Sequence, residues 1–268
     1  MKKSIFLILL AAGLTLKGCA SVSAPDDNVD MTDTGEAVQT AELTAVTAPV
    51  FDAEACYRPI LDELYSLVSC AYDDDYYADL YANDDLLAGT VALMEGNGWG
   101  SSDVMLNYAG YTIRDMSGDG VPELLIGSVD HDGSGNGTAV YALYTAVNGQ
   151  PQAVFDGSHR SMYYFLDDGV VFYQGSGGAL YSIFALYDLT VDGGALVCQD
   201  YCFTHEKDGN FEDVHCWHNM VGKMDVAVSE ELAMTLEEFW ETEAEYGERI
   251  ADLALIPFAE YDISDVGQ

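Results

Sequence analysis

The sequence predicts an α+β domain, an antiparallel β-meander sheet with two N-terminal helices and one C-terminal helix. Three observations point there. Apolar positions recur at helical spacing before residue 100 and again after residue 235. Between these stretches lie short segments rich in Tyr, Phe, Val, Ile and Leu. Asx-Gly pairs separate those segments, as the tight turns of antiparallel hairpins require.

The first helix runs from Tyr57, with Ile60, Leu61, Leu64, Leu67, Val68 and Ala71 on one face. Pro59 either opens it at the first turn or kinks it. A second helix begins near Asn83, carries Leu86, Leu87, Val91 and Met94, and stops at Gly96 or Gly98. Strands follow near 122–129, 138–147, 161–166, 170–174, 180–190, 195–206 and 211–218. Turns fall at Asn148-Gly149, Asp168-Gly169, Asp192-Gly193-Gly194 and Asp208-Gly209. In the last helix Thr235 and Glu238 have capping-box spacing, Phe239 and Trp240 supply the buried face, and Gly247 suits the end. Such an element order packs helices on one face or end of the sheet.

The N-terminus reads as an export signal. Lys2 and Lys3 precede an apolar run, Ile5 to Leu16, that is short for a membrane span. The run ends at Leu16-Lys17-Gly18-Cys19, which resembles the bacterial lipobox, although Lys17 stands where that pattern favours a small uncharged residue. The resemblance implies a signal peptide over residues 1–18 and a lipid on Cys19. The protein is then anchored in a bacterial cell membrane and faces the extracytoplasmic side. Ordinary secretion, with cleavage among Gly18-Cys19-Ala20, is the competing reading. Residues 19–50 are rich in Ala, Thr, Val and Asp and lack aromatics until Phe51, so they read as a flexible acidic stalk. Residues 51–268 remain for the α+β domain.

Loss of Lys2, Lys3 and Lys17 with the signal lowers the basic residues from 9 to 6 against 46 acidic ones, so the net charge falls from −37 to −40. Such a surface repels nucleic acid and anionic lipid headgroups and attracts cations.

One loop carries chemistry. Residues 115–125 read DMSGDGVPELL: Asp115, Ser117 and Asp119 alternate, Gly120 follows, and Glu123 comes four residues after Asp119. Alternate residues of a tight loop turn their oxygens inward, and calcium takes about six to eight hard oxygens. The stretch resembles the calcium loop of FG-GAP and VCBS repeats. That resemblance implies ligand roles for Asp115, Ser117, Asp119, Val121 through its carbonyl, and Glu123, and it covers about 30 residues from Tyr111. The wider layout is similar to bacterial lipoproteins with a single such repeat. Ser117 is neutral where the pattern has a carboxylate or amide, and Glu123 is longer than the usual aspartate, so weak Ca²⁺ binding is expected. An EF-hand is excluded, because its twelfth position would be Ile126. A polar turn held by Asx hydrogen bonds is the bland alternative. The second polar loop, Asp130 to Asn136, reads as a hairpin loop.

Beyond Cys19 the cysteines are Cys56, Cys70, Cys198, Cys202 and Cys216. Cys56 and Cys70 on one helix, or Cys198 and Cys202 on one strand, stand too far apart to bond. The cluster Cys198, Cys202, His205, His215, Cys216 and His218 invites a zinc reading. A two-residue turn at Asp208-Gly209 would place Cys202 opposite His215 and Tyr201 opposite Cys216. His205, Cys216 and His218 would then share one face, and Cys202 and His215 the other, so that four ligands do not converge. A register one residue looser would put Cys202 opposite Cys216, where a disulfide is conceivable. No catalytic residue is assigned: Gly175-Ser176-Gly177-Gly178 reads as a turn, and Ser158, His159 and Ser161 as strand neighbours. The expected function is a calcium-stabilised, non-catalytic surface protein for a glycan or protein ligand. An extracellular hydrolase and a structural envelope component are the alternatives.

Overall fold

The computed structural model describes residues 51–70, 86–97, 101–129 and 137–263. The export signal, Cys19, the stalk and the Asp130–Asn136 loop lie outside these residues. All described residues belong to one unit, Ala48–Gln268.

Helix α1 (Ala53–Ser69) starts ahead of its apolar periodicity because Asp52 caps it, the carboxylate accepting the Ala55 N–H at 3.0 Å. Pro59 falls inside the helix rather than in its first turn. Helix α2 (Thr90–Asn97) begins later than expected, with Leu86 and Leu87 ahead of it. A turn at Gly89 intervenes, where φ is +88° and the N–H donates to Asp156 Oδ1 at 2.7 Å. A further short helix, α3 (Ser102–Tyr108), leads straight into the sheet.

The strands are β1 (Ala109–Arg114), β2 (Glu123–Ser128), β3 (Ala139–Val147), β4 (Gln150–Asp156), β5 (Ser161–Phe165) and β6 (Val171–Gly178). They continue with β7 (Tyr181–Leu189), β8 (Leu196–Glu206), β9 (Val214–Asn219), β10 (Glu230–Glu231) and, after helix α4 (Leu236–Gly247), β11 (Ile256–Pro257). Every ladder is antiparallel, in the order β10-β9-β8-β7-β6-β5-β3-β2-β1-β11, with β4 beside β3. Mostly antiparallel sheet with a few helices is therefore the architecture. Asn148 and Gly149, with φ of 54° and 74°, make the two-residue turn joining β3 to β4. Gly175-Ser176-Gly177-Gly178 is not a turn but the irregular end of β6.

The β8–β9 hairpin corrects both expected registers. Cys202 pairs with His218, Thr204 with Cys216 and His205 with His215. The turn does not end at Gly209, because Asn210 starts a second one: its side chain accepts the Glu212 N–H and its carbonyl the Asp213 N–H. Cys202, Cys216 and His218 consequently share one face, and His205 and His215 take the other with Phe203 and Trp217.

Helices α1 and α2 and Met105 of α3 pack on Leu124, Ile126, Tyr141 and Tyr144. Phe239 of α4 packs on Phe172, Phe184, Cys202 and Cys216. Tyr164 touches both groups, so the helices share a face of the sheet. The Thr235–Glu238 capping box forms as expected, but Trp240 is 51% exposed rather than buried.

The other face is closed partly by the sheet itself and partly by Leu253 and Leu255 of the segment after α4. In a flat sheet the four strand steps from β2 to β7 would span roughly 19 Å. Leu189 and Leu196, at the β7–β8 turn, nevertheless join the buried group that includes Leu125 and Leu143, and Gly193 of that turn lies directly on Glu123 and Thr145. The sheet is therefore rolled toward its helix-free side, which brings the 190–195 turn down onto the start of β2.

Candidate cation-binding loop

The loop between β1 and β2 winds its amides around two carboxylates. Asp115 Oδ1 accepts the Gly118 N–H at 2.6 Å and Oδ2 the Gly120 N–H at 3.0 Å. Gly118 and Gly120 have φ of 82° and 90°, which suits glycine alone among common residues. Glu123 Oε2 accepts the amides of Met116 and Ser117 at 2.7 and 3.3 Å. Asp119 Oδ1 instead turns back to the Val121 N–H at 2.7 Å. On the sheet side, the Tyr57 hydroxyl donates to the Pro122 carbonyl at 2.9 Å, tying the loop exit to α1. Burial pushes that hydroxyl's pKa up, with Cys56, Glu123 and Asp119 adding to the effect.

Glu123 is the anomaly in this arrangement. It is fully buried, yet its Oε1 has no hydrogen-bond partner, and neither has the buried Ser117 Oγ. Over it sits Gly193, with φ +65°, where any Cβ would overlap Oε1. An isolated buried carboxylate is costly unless something compensates its charge. Asp115, Asp119 and Gly120 are exposed, so the loop is closed below and open above. The structure thus brings Asp115, Ser117 and Glu123 onto one loop backbone, whereas Asp119 faces its own strand exit. Tyr57 and Gly193 escaped the motif reading, since only the rolled sheet and α1 bring them there.

Among the described residues no three His, Cys, Asp or Glu side chains form a ready-made metal cage. The donors of this loop are mixed: carboxylate, hydroxyl and carbonyl. The histidines of β8 and β9 are engaged with carboxylates. His215 contacts Glu231 at 2.7 Å and Asp213 at 3.1 Å, and His218 contacts Asp200 at 3.2 Å. Burial raises the pKa values of Cys198, Cys202 and Cys216, which disfavours the thiolate that zinc or nucleophilic chemistry needs. All five described cysteines are unbridged. The backbones of Ser158 and Ser161 bond each other, and the His159 N–H donates to Glu95.

No protein-family model, no curated protein and no solved structure matches the chain. Among the described residues no helix is long and apolar enough to cross a membrane.

Proposed function

We propose that this chain is an exported, lipid-anchored, non-catalytic surface protein whose α+β binding domain is stabilised by one weakly held calcium ion. The two unpartnered buried oxygens, Ser117 Oγ and Glu123 Oε1, carry the calcium part of this reading. Hard oxygens lacking donors, in an acidic loop closed by glycines, suit a hard cation. Asp115, Ser117, the Val121 carbonyl and Glu123 would hold it, and Asp119 would join them by turning its carboxylate away from the Val121 N–H. The amides on Asp115 do not forbid this, since each carboxylate oxygen keeps a second lone pair. Bound there, calcium would neutralise the carboxylates. The likeness to an FG-GAP or VCBS loop supports the reading through these residues alone, and the anchor rests on Leu16 to Cys19.

Thermal unfolding with and without millimolar calcium tests the site. At about tenfold excess over the dissociation constant, linkage gives roughly 1.4 kcal/mol, or about 3–6 °C for a domain of this size. Asp119→Ala removes an open carboxylate, and Glu123→Gln removes the buried charge while keeping its shape. Both variants should lose the shift, and Glu123→Gln should be at least as stable as wild type in chelator. Equal melting curves for wild type with and without calcium would sink the proposal.

A further inference from the structure

A second feature stands apart from the loop. A cleft of about 320 Å³ opens between the start of α1, the outer face of β1, Ile256 and the segment after β11. Its walls are fixed in advance. Tyr111 packs edge-on against Tyr261 with ring centres 5.7 Å apart, and the Tyr261 hydroxyl donates to Asp62. Leu61, Ile113 and Ile256 supply apolar surface, and Glu54, Glu260 and Asp262 line the cleft beside them.

Arg58 is the unusual component. Lys207 and Arg249 each make an ion pair, but Arg58 makes none of those found among the described residues. Arg58 is half-buried, and its Nη1 is shielded from solvent without a hydrogen-bond partner. Among the described residues this guanidinium has no carboxylate at ion-pair distance, although the chain is rich in acids. Bidentate carboxylate is the group its donor fork matches best.

We propose that the cleft binds a small zwitterion, an amino acid with an apolar side chain, its carboxylate on Arg58 and its ammonium at Glu54 and Glu260. Charge decides between this ligand and simpler ones. A bare carboxylate is repelled by the molecule's large negative charge. A bare amine gains nothing from Arg58 and leaves it unpartnered. The apolar walls take the side chain, and a volume near the lower end of ligand clefts suits one residue better than an oligosaccharide. This deepens the binding role proposed above by giving it a ligand class, and it requires neither the calcium loop nor the anchor.

Calorimetric titration of the detergent-solubilised full-length protein with L-leucine tests it, with 4-methylpentanoate and 3-methylbutylamine as probes lacking one charge each. Leucine should bind, and each single-charge probe should bind at least about tenfold more weakly. Arg58→Gln should weaken leucine binding by at least about tenfold, and Glu260→Gln, at an exposed position, by several-fold. Melting curves confirm that both variants fold. Asp119→Ala should bind leucine as wild type does, which separates this site from the calcium loop. Failure of leucine to bind at millimolar concentration, equal binding of either probe, or indifference to both substitutions would overturn the proposal.

Discussion

Glu123 and Gly193 show how tightly a single atom can be constrained here. A methyl group at Gly193 would overlap Glu123 Oε1, and a φ of +65° is itself unfavourable for alanine. Gly193→Ala should therefore cost about 2–4 kcal/mol, from overlap and torsional strain together. In a double-mutant cycle with Glu123→Ala the overlap disappears and only about 1–2 kcal/mol of backbone strain should remain. Denaturant unfolding of the four proteins measures this coupling; additive losses would show that the turn moves aside freely. At this scale the sequence was partly legible. Asp115, Asp119 and Gly120 stand out by spacing alone, because their contacts are local. Gly193 looked like an ordinary turn residue, since its neighbour lies four strands away.

At the scale of elements, local chemistry was read correctly where it acts alone. The Thr235–Glu238 capping box and the Asn148-Gly149 turn depend on adjacent residues and formed as expected. Strand β4 was missed because Pro151 and its polar neighbours read as loop. It tolerates a proline because it lies at an edge, bonded only to β3. Strands β10 and β11, two residues each, are too short for any periodicity. Trp240 was misplaced because packing of α4 on Phe172 and Phe184, not its own pattern, chooses the buried side. That packing also sets a pH dependence. Burial raises the Glu243 carboxyl above its ordinary pKa, partly offset by the Gln174 amide, which donates to it at 3.0 Å. A carboxyl whose folded pKa exceeds its unfolded one destabilises the fold at high pH and ceases to do so below the unfolded value. Glu243→Gln should therefore raise the melting temperature at pH 7 and leave it nearly unchanged below the usual glutamate range. A gain independent of pH would refute this cause.

At the scale of the whole molecule, the proposed lipid anchor at Cys19 carries its own test. Stable membrane attachment needs two lipid signals where one acyl chain is marginal. In the bacterium, Cys19→Ala should move the protein from the membrane fraction to the soluble one. Membrane retention of the variant, with no palmitate on the wild type, would dismiss the anchor. The helices all cover one side of the sheet, while the other side is sealed by the rolling of the strands and by Leu253 and Leu255 of the segment after α4. The 115–123 loop and the 190–195 turn meet at the seam of that roll, with Glu123 buried between them. An ion at Glu123 would act at that seam, beside the Tyr57 hydroxyl that ties the loop to α1.

Most strands pair with a neighbour in sequence, so the sheet can close hairpin by hairpin at little loop-closure cost. The β1–β11 pairing is different, because Gly110 and Tyr111 meet Pro257 and Ile256 from the far end of the chain. Two residues of ladder must hold that junction, helped by Phe258, which is fully buried among the α1–α3 side chains. This junction works as a clasp, and we expect it to open before the meander does. In native-state hydrogen exchange the Ile256 and Tyr261 amides should exchange well before those of β7 and β8, through an opening smaller than global unfolding. Exchange at all these amides at one common rate would mean that the clasp and the meander come apart together.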